Sequence, residues 1–177
     1  MSIERNDHSL YSSYREMLIE HLFSGEVMRT VWLTGSAEKR IEILKPQVDD
    51  GGYDIVLEAR GIVRHVQLKA TFVGSTVKRF NIHKALSEKP SGCVICVLVD
   101  MPRFELGPFY WFGGGPGEKL PSLDSLAIAK HTKGDSTGKK NARPNIRVLP
   151  ITKFQKIGTY NELVLKLFGP DNNARAA

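Results

Sequence analysis

The chain has 177 residues, 41% of them hydrophobic and 25% charged, with a formal net charge of +6 and a pI near 9.4. That is enough chain for one domain with a core, the composition excludes a disordered polyampholyte, and no apolar run approaches the ~20 residues that span a bilayer. The basic balance favours a polyanionic partner, and the lack of a charged-then-apolar leader sets the expectation of a cytoplasmic protein.

Residues 1–8 are polar and read as a disordered tail. Ser9 is placed to cap a helix running from about Leu10 to Leu33, with Gly35 as its stop. Leu10, Tyr14, Met17, Leu18, His21, Met28 and Trp32 recur at helical spacing and are expected to be its buried side, with Gly25 a kink or close-packing point. Glu20 shares a stripe with Met17, Val27 and Val31 instead of the charged side, so it calls for a partner.

Residues 40–45 alternate and read as a first strand, ended by Pro46. Asp49, Asp50, Gly51 and Gly52 form a turn. Two alternating strands follow, 53–59 and 62–70, joined by a tight Arg60-Gly61 turn. Residues 70–80 read as a polar connection, 83–88 as a short helix stopped by Pro90 and Gly92, and 93–100 as a buried strand. Cys93 and Cys96 lie three apart within that strand and so point to opposite faces. With no second Cys pair to complete a zinc site, both are read as core residues. Residues 109–112 resemble an aromatic strand, 113–117 a tight glycine loop without the Lys-Ser/Thr pair of a phosphate-binding loop, and 122–130 a short helix. Residues 146–150 read as a last strand. Residues 159–168 read as a final helix with Thr159 and Glu162 spaced as a capping box and with Leu163, Leu165 and Leu167 facing the core. Gly169-Pro170 ends it, and 170–177 is expected to be a second disordered tail. Without repeats or a linker, 1–177 reads as a single domain.

Three polar side chains stand where folding alone does not require them. Gln67 and Lys69 are two apart and project from one face of their strand, and the hairpin brings Asp54 beside them. A carboxylate and an amide oxygen are hard ligands suited to Mg²⁺, and a neighbouring ammonium can orient water or stabilise charge building on a phosphate. The order D-x(12)-Q-x-K across a hairpin resembles the PD-(D/E)XK nuclease superfamily in its Q-x-K variant. The wording Asp-Gly-Gly-Tyr-Asp followed by Val-Gln-Leu-Lys is similar to the Mrr-type restriction endonuclease branch.

The resemblance implies a restriction endonuclease-like αβββαβ core: an α/β fold with a mixed central sheet flanked by helices. It implies a metal-dependent DNA endonuclease using Mg²⁺ or Mn²⁺. Asp54 and Gln67 would bind the metal, and Lys69 would act on the nucleophilic water or the scissile phosphate. The family places a Glu on its first helix to reach the metal; Glu20 is assigned that role, with Glu26 the alternative and Glu16 third. Asp49 and Asp50 could add charge nearby. Gln67 departs from the commoner carboxylate and weakens attraction for a dication. The second reading is therefore a nucleic-acid-binding module on the same fold without catalysis. Lys130, His131, Lys133, Lys139, Lys140, Arg143 and Arg147, loosened by Gly134, Ser136 and Gly138, read as a loop that grips phosphate backbone. Many relatives act as dimers, which leaves a homodimer open, although no stretch identifies an interface.

Overall fold

A computed structural model describes residues 11–35, 39–48, 50–133 and 138–171. Ser9, Leu10, Asp49, Gly134, Ser136 and the tail beyond 171 lie outside the described residues.

The chain builds a six-stranded mixed sheet and a three-stranded antiparallel sheet. Helix α1 (Ser12–Thr34) leads into β1 (Glu42–Leu44), β2 (Ile55–Ala59) and β3 (Ile62–Phe72). The β2–β3 hairpin closes through Arg60 and Gly61, both at positive φ (55° and 69°), the twist that a two-residue turn needs to match its strands. Strand β4 (Arg79–His83) and a 3-10 helix (Lys84–Glu88) precede β5 (Gly92–Asp100), which pairs in parallel with β3 from His65↔Gly92 to Phe72↔Val99. Then come β6 (Glu105–Gly113), β7 (Ile128–Lys130), β8 (Ala142–Pro150), β9 (Gln155–Ile157) and α2 (Tyr160–Phe168). The large sheet runs β1-β2-β3-β5-β6-β9, and the small one β4-β8-β7.

Alternation along β3 and β5 divides the core into two layers. On one face Val66, Cys93, Ile95, Val97, Phe109 and Trp111 pack under both α-helices. On the other face Val94, Cys96 and Phe112 meet Phe80, Ile82 and Leu149 of the small sheet and Leu86 of the 3-10 helix. The central mixed sheet flanked by helices is thus present, with an extra strand, β4, ahead of the second helical turn.

Several expectations need correction. The buried side of α1 is Ile19, Phe23, Val27, Thr30 and Val31, while Tyr14, Met17, Met28 and Trp32 are exposed. The helix is apolar on two sides, and the side with β-branched and aromatic residues at four-residue spacing is the one that packs on the sheet. The connection expected over 70–80 is shorter at both ends: β3 runs on to Phe72, and Arg79 and Phe80 open β4, which reaches His83, the residue expected to start the short helix. Residues 122–130 are not a helix; their last three form β7. In α2 the core residues are Leu163, Val164, Leu167 and Phe168, whereas Leu165 is exposed, as a 3.6-residue period requires. Thr159 does accept from the Glu162 N–H (3.2 Å), while the Glu162 carboxylate takes the Gly158 N–H (2.9 Å), one residue before the expected partner.

Cys93 and Cys96 are buried free thiols in the two separate layers. Burial pushes each thiol from 9.0 up to about 12. A raised folded value means the stability these groups contribute is complete below pH 9 and falls as pH rises toward 12. Neither thiol should react with a disulfide reagent at about pH 8 until the protein unfolds, when both should titrate; rapid native labelling would contradict the burial. No helix among the described residues is long and apolar enough to cross a membrane.

Candidate functional site

Strand β2 pairs with β3 only from Ile55↔Val66 to Ala59↔Ile62. Beyond Val66, β3 keeps β5 on one side and has no strand on the other among the described residues. Asp54 sits at this fork. Its N–H donates to the Val66 carbonyl (2.8 Å), and its Oδ2 accepts from the Leu68 N–H (2.6 Å). The carboxylate therefore closes the ladder where the strands part, and a charge-assisted bond fixes its orientation. Gly52 makes the approach feasible. It has φ +73°, and a Cβ there would lie 2.7 Å from Cβ of His83, so no other residue fits the turn into Asp54 without displacement.

Gln67 and Lys69 follow on one face of β3. Gln67 is buried, and its Oε1 has no hydrogen-bond partner. A buried amide oxygen left unpaired costs about 1–3 kcal/mol, so the position favours a bound water or a ligand. Thr71, next on the same face after Lys69, is likewise buried with an unpartnered Oγ1. Lys69 is half-buried opposite Cys96.

A cleft of about 580 Å³ opens between α1 and this fork. Asp54 and Lys69 line it together with Glu16 and Glu20 from α1. Lys45, at the end of β1, enters from the far wall and ion-pairs with Glu20 (2.5 Å). Arg15 lines the cleft as well and stacks over the Phe72 ring (5.3 Å). The cleft thus gathers three carboxylates and three cations.

The sequence-derived site residues fall into three groups. Asp54, Lys69, Glu20 and Glu16 share the cleft. Gln67 shares its strand face with Lys69 but is outside the lining; it pairs with Val94, in the layer that meets the small sheet. Glu26, the alternative, is outside the lining and ion-pairs with Arg29 (2.8 Å) on another side of α1. Asp50 is exposed and also off the lining. Lys45 and Arg15 were missed. No local pattern marks them, because their place depends on where the end of β1 and the first turns of α1 meet.

The basic segment is not simply a loop. Lys130 ends β7, and Arg143 lies in β8 opposite Ala129. Lys130, Lys133, Lys139, Lys140 and Arg143 are exposed, but Arg147 is buried and its Nη1 donates to the Pro144 carbonyl (2.6 Å), which removes it from any phosphate-gripping set. This strip belongs to the small sheet, which packs on the face opposite α1.

The donor set decides which metal it suits. Among the described residues no cluster of three or more His, Cys, Asp or Glu is arranged to hold an ion. The groups near the fork that could contribute to an ion, the Asp54 and Glu20 carboxylates and the Gln67 amide oxygen, are all oxygen donors, the kind that suits Mg²⁺ or Mn²⁺ better than zinc.

No family model matches this chain, and no curated protein matches it. Among solved structures, a bacterial homing endonuclease is similar at 19% identity over 66% of this chain and 79% of that one, with a TM-score of 0.28. A likeness that loose carries no argument about activity.

Proposed function

We propose that this chain is a divalent-metal-dependent nuclease of the PD-(D/E)XK kind that hydrolyses phosphodiester bonds in DNA. The observation that carries the reading is the fork itself. Asp54 is bonded to β3 between Val66 and Leu68, beside Gln67 with its unpartnered oxygen, and shares a cleft with Lys69 and Glu20. Asp54, Gln67 and Glu20 are the residues that would hold Mg²⁺ or Mn²⁺. When bound, such an ion supplies Lewis acidity toward a phosphodiester oxygen and acidifies water. The chain's own groups do the positioning. The Leu68 N–H holds the Asp54 carboxylate, and Lys45 holds Glu20. The Lys69 ammonium donates to the attacking water or to the non-bridging phosphate oxygens as charge develops there. Exposed Lys130, Lys133, Lys139, Lys140 and Arg143 offer sequence-independent contacts to the phosphate backbone.

A second reading, a DNA-binding module without catalysis, draws on the neutral Gln67 and on the Glu20–Lys45 pair, which leaves little net negative charge for a dication. Incubation of the purified chain with duplex, single-stranded and RNA substrates separates the two. Products that form with Mg²⁺ or Mn²⁺ and vanish with chelator support the nuclease. A salt-sensitive gel shift without product over a wide protein excess supports the binding module.

A further inference from the structure

Glu20 and Lys45 are unequal partners. The Glu20 side chain keeps 18% of its surface exposed, that of Lys45 54%. Ile19 and Phe23, which flank Glu20 on α1, are both buried in the core, so packing holds the carboxylate in place. Lys45 stands one residue beyond the last pair of β1 with β2, Leu44↔Val56, at the end of a three-residue edge strand. Its ammonium is carried on a flexible four-carbon stem. An ion pair this open adds little stability and exchanges readily. The member free to change partners is the cation.

The charges lining the cleft supply a second observation. Asp54, Glu16 and Glu20 are matched by Arg15, Lys45 and Lys69, so the lining carries no net charge to draw in a dication. A dication that approaches Glu20 also meets an ammonium already in contact with that carboxylate, and the two cations repel. A phosphodiester changes both terms. It brings negative charge into the cleft, and its oxygens accept a charge-assisted hydrogen bond from an ammonium as well as a carboxylate does.

We propose that Lys45 is a positioning residue that couples the two ligands of this site. It holds Glu20 until a strand binds, then passes from the carboxylate to a phosphate oxygen, which makes Glu20 available to the ion. The inference rests on the nuclease reading and adds to it a residue that acts through Glu20 and not on the reacting atoms. Lys45 thereby discourages an ion from loading at Glu20 ahead of the substrate. Coupling of this kind is reciprocal: the factor by which DNA tightens the ion is the factor by which the ion tightens DNA. Removing the ammonium should break the coupling from one side, by raising affinity for the ion in the absence of DNA.

Mn²⁺ binding to the full chain, read by electron paramagnetic resonance with and without a short phosphorothioate duplex, tests this without turnover. In the absence of DNA, Lys45→Gln should bind Mn²⁺ at least about fivefold more tightly than the parent, the low end of typical coupling between sites. Lys45→Arg, which keeps a cation, should bind no more tightly than the parent. Lys153→Gln removes the same charge from an exposed position off the lining and should match the parent. The duplex, after subtraction of its own Mn²⁺ binding, should tighten the parent by a similar factor and Lys45→Gln by less. The gain from Lys45→Gln should vanish in a Glu20→Gln background, where no carboxylate is released. A Lys45→Gln chain that binds Mn²⁺ as the parent does, while Asp54→Asn binds it more weakly, overturns the coupling and leaves the metal site standing. A gain that Lys153→Gln reproduces, or that survives Glu20→Gln, overturns it as well. Failure of both the parent and Lys45→Gln to bind Mn²⁺, with the duplex or without it, removes the metal-dependent reading and the coupling with it.

Discussion

On the proposed nuclease reading, Lys69→Ala should lower the rate of metal-dependent DNA cleavage by at least ~100-fold, the loss typical when a donor aimed at developing charge is removed. The effect should fall on the chemical step. Lys69 lines the cleft with Asp54 and Glu20, while the exposed basic residues of β7, β8 and their connection are untouched. DNA affinity in a gel shift should therefore change little. The melting temperature should stay within about 3 °C of the parent, as expected for a half-buried polar substitution outside both apolar cores. Single-turnover cleavage with circular dichroism melting reads both quantities. Cleavage at the parent's rate by a folded variant would remove Lys69 from the mechanism.

Arg64→Met destabilises the fold by about 3 kcal/mol without touching the cleft. Arg64 is fully buried in β3, on the face under the helices. Its Nε donates to the Leu167 carbonyl (2.7 Å), and its Nη2 donates to those of Lys166 (2.9 Å) and Gly114 (3.3 Å). Its guanidinium stacks over Trp111 (5.3 Å). The last carbonyls of α2 have no partners within the helix and carry the negative end of its dipole, so a buried cation there satisfies both. Desolvation lowers the Arg64 pKa from 12.5, with opposing pull from Cys93 and Glu118, yet the group stays charged at neutral pH. Methionine fills a similar volume but leaves those carbonyls unpaired. Thermal or denaturant unfolding should show the loss as a drop of roughly 6–12 °C in midpoint. A midpoint within about 2 °C of the parent would contradict the capping role.

The hairpin that forms the site was legible because its signals are local. Alternation marks both strands, Arg60-Gly61 sets the turn, and a two-residue loop leaves one register available, which carries Asp54 to Gln67. Strand β5 was legible from its unbroken apolar run. Helix α1 was legible as a helix, but its buried side was not. Tyr14, Met28 and Trp32 are larger than Val27 and Val31 and dominate a pattern search, although the smaller residues pack on the sheet. The small sheet was hidden for another reason. β4 and β7 are short, and the two buried positions of β8 are Arg147 and Leu149, with Arg143 and two prolines among the others, so charge obscured the alternation. The walls of the cleft were the least legible part. Asp54 and Lys69 are set by strand pairing, whereas the Glu20–Lys45 contact depends on how α1 lies across the end of β1, a tertiary fact with no spacing to announce it.

Titration of Mn²⁺ into the full chain, followed by electron paramagnetic resonance, tests the proposed metal site at the strand fork directly and needs no turnover. The parent should bind about one ion per chain at an all-oxygen site. Asp54→Asn, which keeps an acceptor for the Leu68 N–H but discards the charge, should bind it at least ~10-fold more weakly, as should Gln67→Leu. Equal binding by all three chains, or none by the parent even with uncleavable DNA present, would mean that the β2–β3 fork is not a metal centre.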